Sequence, residues 1–188
     1  MSRSLRSIIV DYRGTEADSV SLSMGHYLFE SEAVPVRTEL PGILDERISI
    51  GGHHVCMTCL NLGCAHAVIL GKPVTPSVIQ QLGHAIGLHP LFPRGTHVEC
   101  VEVKHHTTLM LEAWTQCDGY TLASCNAACA AAIACHRLGM VSPRVTVQMP
   151  GGRVNVVVDH EQQTVCLRAS AKQVVQGELN MPQLVNCH

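Results

Sequence analysis

The chain has 188 residues, 46% of them hydrophobic, 15% charged and 3% aromatic, with a formal net charge of −2 at pH 7. That composition fits one globular domain able to bury roughly 70% of the surface of its unfolded chain, and it excludes disorder. With Lys+Arg 13 against Asp+Glu 15, no basic excess is available for a phosphate backbone, and no uncharged apolar run approaches the ~20 residues that span a bilayer. Neither nucleic acid nor a membrane is therefore expected as a partner. The opening MSRSLRSIIVDYRG lacks the apolar core of a signal peptide, so a cytoplasmic location is expected. In that setting the 10 cysteines are expected as reduced thiols rather than a disulfide framework.

Strands come first. The runs IIV and VSLSM around DYRGTEAD predict a hairpin between Ser7 and Met24. Further strands follow through PVRTELPGILDERISIGGHHVCMTCLNLGCAHAVIL, with Gly51 and Gly52 at a turn. From Pro76, the spacing of Val78, Ile79, Leu82 and Ile86 predicts a helix that stops near Gly87 and Pro90. THVECVEVKHHTTLMLEAWTQCDG alternates as two antiparallel strands about the turn KHHTT. Cys125 to Leu138 predicts a second helix, apolar nearly all round and hence buried, capped near Gly139 and ended by Pro143. RVTVQMPGGRVNVVVDHEQQTVCLRA reads as a meander with turns at 150–152 and 159–162. The expectation is an α+β domain of about eight to ten strands in a curved antiparallel sheet or barrel wrapped around a central apolar helix, with two main helices.

Several segments together resemble the second half of diaminopimelate epimerase. HPLFPRGTHVECVEV is similar to that family's HPLFPEGVNVEFVEV, GCAHAVIL to GNPHAVVF, and SMGHYLF to DMGxPxF. GYTLASCNAACAAAIACHRLGMVSPRVTVQMPGGRVNVVVD resembles GETLACGTGACAAAVAAxxxGLxxxxVTVxxPGGxLxVxWx, and VCLRASAKQVVQGEL resembles the closing VWMTGPAxxVFxGEx. The likeness runs from Val20 to Leu179. It implies residues 1–24 as a strand pair left from the family's first domain, 25–179 as the epimerase-like C-terminal domain, and 180–188 as a tail.

The resemblance also implies a mechanism without a cofactor, in which two cysteines face each other across a substrate α-carbon. One thiolate removes the proton and the other thiol returns one from the opposite side. The family's first cysteine half is expected to lie outside this chain. In the retained half the catalytic cysteine's place falls on Ser124, with Cys125 beside it, and Asn126 and Ala127 replace a Thr and a Gly. Thr115 and Gln116 stand where the family has a Glu and an Arg that clamp the substrate, Cys64 and His97 where it has Asn, and His66 is retained. Cys125 and Ser124 are thus the candidate catalytic residues, and Cys64, His66, His97, Thr115, Gln116, Asn126 and Ala127 the candidate substrate-binding ones.

Two functions follow. In the first, the chain is an epimerase-type subunit completed by self-association as a homodimer or by a heterodimer partner carrying the missing half, with a small amino acid as ligand. In the second, it is an inactive relative that serves as a binding or regulatory module, Ser124 being only the N-cap of a core helix. Cys56, Cys59, Cys64, His66, His53 and His54 leave metal binding open as a third reading, although Cys56 and Cys59 three apart on a strand point to opposite faces. No metal and no cofactor is assigned. Cys187, His188, His105 and His106 read as solvated, and Cys129, Cys135, Trp114 and Phe92 as core. His84, His89 and His136 lie near helix ends.

Overall fold

A computed structural model of the protein describes residues 7–14, 16–50, 52–71, 74–171 and 175. Eleven strands form one sheet: β1 (Ile8–Arg13), β2 (Glu16–His26), β3 (Glu46–Ile50), β4 (His53–Asn61), β5 (Ala65–Leu70), β6 (His97–His105), β7 (Thr108–Thr115), β8 (Gly119–Thr121), β9 (Arg144–Met149), β10 (Gly152–Asp159) and β11 (Thr164–Ser170). Helix α1 (Pro76–Gly87) lies between β5 and β6, and α2 (Cys125–Arg137) between β8 and β9. The strand order is β1-β2-β11-β10-β9-β7-β6-β5-β4-β3, with β8 pairing the C-terminal half of β7 while β9 pairs its N-terminal half. Cys187, His188 and the expected tail lie outside the described residues.

Three features differ from the sequence expectation. The sheet does not close into a barrel, because β1 and β3 end the path as separate edges. Nor is it wholly antiparallel: β5 and β6 run parallel, as do β7 and β9. A parallel pair cannot be joined by a tight turn and needs a crossover, and the two helices lie in those two connections. The short β8, hidden in the turn-rich GYT, also takes the strand count above the expected range.

Side-chain alternation along the central strands divides the core in two. On one face Met57, Cys59, Ala67, Ile69, Val98, Cys100 and Trp114 pack with Ile79, Leu82 and Ile86 of α1. On the other, Leu60, Val68, Val101, Leu109, Leu111 and the strands β9 to β11 enclose α2, whose residues Ala127 to Cys135 are all buried. The predicted central apolar helix is therefore real. Cys129 and Cys135 lie in that core, and burial pushes the Cys135 thiol up to about 12. Among the described residues no helix is long and apolar enough to cross a membrane.

Both helices start on side-chain caps. Thr75 accepts the Val78 amide at 3.4 Å, and Ser124 accepts the Ala127 amide at 3.2 Å. Gly139, at φ +72°, ends α2 with its amide on the His136 carbonyl, while the Met140 amide reaches Cys135. Ser124→Ala, which deletes the hydroxyl that satisfies an otherwise unpaired first-turn amide, is expected to cost about 1 kcal/mol in urea denaturation.

Candidate functional site

The polar cluster is set by strand register. Parallel pairing of β5 with β6 places His66 directly beside His97. Alternation turns His66, Val68, His97, Glu99 and Val101 toward the face that carries α2, while Ala67, Ile69, Val98 and Cys100 face α1. The two imidazole rings lie 5.1 Å apart, tilted by 32°. His66 Nδ1 is 2.7 Å from Glu99 Oε1, and both side chains are essentially inaccessible, at 1% and 0%. Among the described residues the second oxygen, Oε2, has no hydrogen-bond partner, and the carboxylate's hydrogen bond goes to His66.

Cys64 approaches the other ring nitrogen, with Sγ 3.4 Å from His66 Nε2. Its position is fixed by the β4–β5 turn. Asn61 Oδ1 accepts the Gly63 amide at 2.7 Å, Gly63 takes φ +83°, and the Asn61 side-chain amide donates to the Ala33 carbonyl at 2.6 Å. An Asx turn with a left-handed glycine is the geometry that turns the chain sharply here.

The electrostatics follow from this chain of contacts. Burial by itself would lower His66, but the charge of Glu99 and the hydrogen bonds to Cys64 and Glu99 outweigh it, raising the imidazole to about 10. Burial by itself would raise Cys64, yet hydrogen bonds to His66 and His97 and the charge on those rings bring the thiol down to about 6. Near neutral pH the pair is therefore thiolate and imidazolium, backed by a buried carboxylate. Glu99 was not among the sequence candidates. Its signal was present: HVECVEV places His97 and Glu99, two apart, on one face of a strand, and the matching epimerase segment has Glu at the same place.

Cys64, Arg94, Gly95, Thr96, His97 and Gln116 line a half-open cavity of about 220 Å³, together with Pro35, Asn61, Gly63 and Ala65. The Gln116 backbone amide donates to His97 Nδ1 at 3.4 Å. Its side-chain amide lies against Gly95, at φ +72°, where a Cβ would overlap it. Thr115 turns instead to Asp118, donating to its carboxylate at 3.3 Å.

The other sequence candidates stand at the start of α2, on the same face of the sheet. Ser124 is the N-cap, Asn126 is half-buried and Ala127 is buried, whereas Leu122, Ala123 and Cys125 are exposed. They are not among the described lining residues of the cavity. Cys56 and Cys59 lie on opposite faces of β4, as their spacing requires: Cys59 is inside the α1 core and burial raises its thiol, while Cys56 lines a surface groove with Arg47 and His54. Among the described residues, no three His, Cys, Asp or Glu side chains are grouped so as to hold a metal ion.

Comparison with known proteins gives this geometry a context. The family profile described as diaminopimelate epimerase matches residues 58–175. The chain is 30% identical over 173 residues to the diaminopimelate epimerase of Halothermothrix orenii, which covers 91% of this chain and 60% of that protein. It is 31% identical over 166 residues to that of Desulfitobacterium hafniense, covering 88% and 58%. Among solved structures, a probable proline racemase from Agrobacterium radiobacter superposes with a TM-score of 0.61 at 14% identity, over 93% of this chain and 58% of that one. A hydroxyproline epimerase from Agrobacterium vitis gives 0.59 at 14% identity, over 89% and 55%. These two likenesses concern the fold.

Proposed function

Because this chain belongs to the diaminopimelate epimerase family and spans about 60% of the length of its curated relatives, we propose that it forms one side of a two-base cleft for proton transfer at a carbon centre. The other side comes from further polypeptide, either a second copy of the chain or a protein carrying the counterpart half. The reaction class is amino-acid epimerisation or racemisation without a cofactor, and the setting is the cytoplasm.

One observation carries this reading. Helix α2 is buried from Ala127 to Cys135, yet its N-terminal edge is uncovered, with Leu122, just ahead of the cap Ser124, 57% exposed and Cys125 exposed at the first helical position. An apolar residue and a thiol left uncovered at the mouth of the core helix suit a surface that another chain covers. The helix start offers backbone amides to an anionic group, with the thiol beside them. The polar cluster of Cys64, His66 and His97 faces the same side.

A one-sided cleft has a distinctive behaviour. A lone base that removes an α-proton exchanges it with solvent and can return deuterium only to the face it came from, so it labels without inverting. In deuterated water, with amino acids including diaminopimelate and hydroxyproline, the isolated monomer is therefore expected to incorporate α-deuterium with retention. The completed assembly is expected to invert. Proton NMR with chiral chromatography reads both, and light scattering reads the assembly. No exchange in any oligomeric state, for any member of the panel, overturns the reading.

A second reading, a non-catalytic binding module, is favoured by the engagement of Ser124 Oγ with the Ala127 amide, which makes Ser124 a cap. Cys125→Ala separates the two. Loss of exchange with unchanged stability supports chemistry, and an unchanged binding phenotype supports the module.

A further inference from the structure

Away from the start of α2, the described residues include a constellation whose members all come from this chain. We propose that Cys64, His66 and Glu99 form a self-contained nucleophilic thiol site that takes small acyl compounds bearing a carboxylate.

The geometry is that of an activated nucleophile. Glu99 Oε1 at 2.7 Å from His66 Nδ1 fixes the ring so that Nε2 faces the Cys64 sulfur at 3.4 Å. Thiol, imidazole and orienting carboxylate thus stand in series, which is the arrangement covalent acyl transfer needs. The position matched by Cys64 is Asn in the resembled GNPH segment, so the thiol is a property of this chain rather than of the motif. Among the described residues Oε2 accepts no hydrogen bond, so the carboxylate is directed at His66, and its charge holds the imidazole protonated. The resulting imidazolium, with His97 beside it, holds the sulfur as thiolate, the form that attacks carbon.

The cavity defines the ligand class. At about 220 Å³ it lies below the usual range for drug-sized ligands and suits a small metabolite. Arg94 is exposed at its edge, where it supplies a fixed positive charge for a carboxylate. The Gln116 side-chain amide, packed on Gly95, is a neutral donor in the same wall for an oxygen that becomes negative.

In the first step the Cys64 thiolate adds to the acyl carbonyl carbon, and the carbonyl π pair moves onto oxygen. As the intermediate collapses, the bond from carbon to the leaving oxygen breaks and His66 Nε2 gives that oxygen its proton, leaving a thioester on Cys64. In the second step the neutral imidazole takes a proton from water, the hydroxide adds to the thioester, and the carboxylic acid departs as the sulfur leaves as thiolate. Water is the only co-reactant, and nothing is oxidised or reduced.

Peptide-resolved alkylation gives the first test. At about pH 5, a thiol at about 6 is ionised in roughly one molecule in ten, and an ordinary thiol near 8.5 in about one in three thousand. The weaker nucleophilicity of the more acidic thiolate takes back about one order of magnitude, leaving Cys64 about twentyfold faster than such an ordinary thiol, with the exposed Cys117 and Cys166 as internal comparisons. Iodoacetate is expected to be favoured over iodoacetamide at Cys64, and Arg94→Ala should weaken that preference. His66→Asn should bring Cys64 back to the rate of the other thiols.

The second test uses the mono-4-nitrophenyl ester of succinic acid. A burst of about one equivalent of nitrophenolate and a succinyl adduct on the Cys64 peptide are expected. Both should be absent in Cys64→Ser and preserved in Cys166→Ser. Alkylation of Cys64 no faster than that of Cys117 or Cys166 overturns the site, and fast alkylation without a burst overturns its acyl chemistry.

Discussion

Glu99→Gln is expected to destabilise the fold by about 3–5 kcal/mol near pH 6.5, because it removes the buried carboxylate that compensates the charge of the buried His66 imidazolium. The sign of the pH dependence follows from His66. Its value is raised in the folded protein, from 6.5 to about 10. The contribution of the pair is therefore fully present below about 6.5 and lost as pH rises through about 10. The deficit of the variant should thus be largest near pH 6.5 and shrink steadily toward pH 10, as wild-type His66 itself gives up the proton. Urea denaturation at several pH values checks this. A second readout separates the electrostatic role from simple packing: without the Glu99 charge His66 is less protonated, so the Cys64 thiol should return toward its ordinary range and its alkylation near pH 5 should slow about tenfold or more. A deficit that does not change with pH would show Glu99 to be a packing residue.

That Glu99 matters so much was poorly legible beforehand, for a physical reason. In VECVEV the glutamates stand three apart, so strand alternation turns them to opposite faces without saying which is wet. Glu102 is exposed, ion-paired with Lys104 at 2.6 Å. Glu99 is not, because β6 is covered by α1 on one face and by the α2 core on the other over Val98 to Val101. Whether a polar residue on a strand faces water or a second layer depends on crossover connections far away in sequence. The same blindness hid the two parallel pairings and the open edges, since pairing direction is set by where a helix returns the chain.

Other parts were plain in the residues. Both helices lie where periodicity and stop signals put them, because Thr75, Ser124 and Gly139 act locally through their own side chains or φ angles. Buried α2 followed from its lack of a polar face. For the candidate site, register did what spacing could not. Cys64 and His66, two apart, share a face by simple alternation, but His97 joins them only through the β5–β6 pairing.

The packing beneath the cavity makes the second large prediction, at Trp114. Its indole lies over Gly83 and Gly87 of α1, one turn apart on the same helix face, and a Cβ at either position would overlap the ring. Glycine inside a helix costs about 1 kcal/mol relative to alanine, so two of them here are explained by the space the indole takes. Trp114→Ala, which empties that space at a site only 8% exposed, is expected to cost about 3–5 kcal/mol. Gly87→Ala in the wild type is expected to cost about 1–3 kcal/mol, since the ring must move in a packed core. In the Trp114→Ala background the same change meets no indole, and it should be neutral or stabilising by up to about 1 kcal/mol. The reversal of sign, read from urea midpoints of the four proteins, isolates the contact. Its reach extends to the site, because the Thr96 amide bonds the Gly87 carbonyl at 3.1 Å and Trp114 pairs with Val98. The indole therefore braces both the segment that delivers His97 and the strand end that delivers Gln116. Loss of it should slow Cys64 alkylation as well as lower the midpoint, and an unchanged Cys64 rate in a destabilised Trp114→Ala protein would show that the thiol site is held by the β4–β5 turn alone.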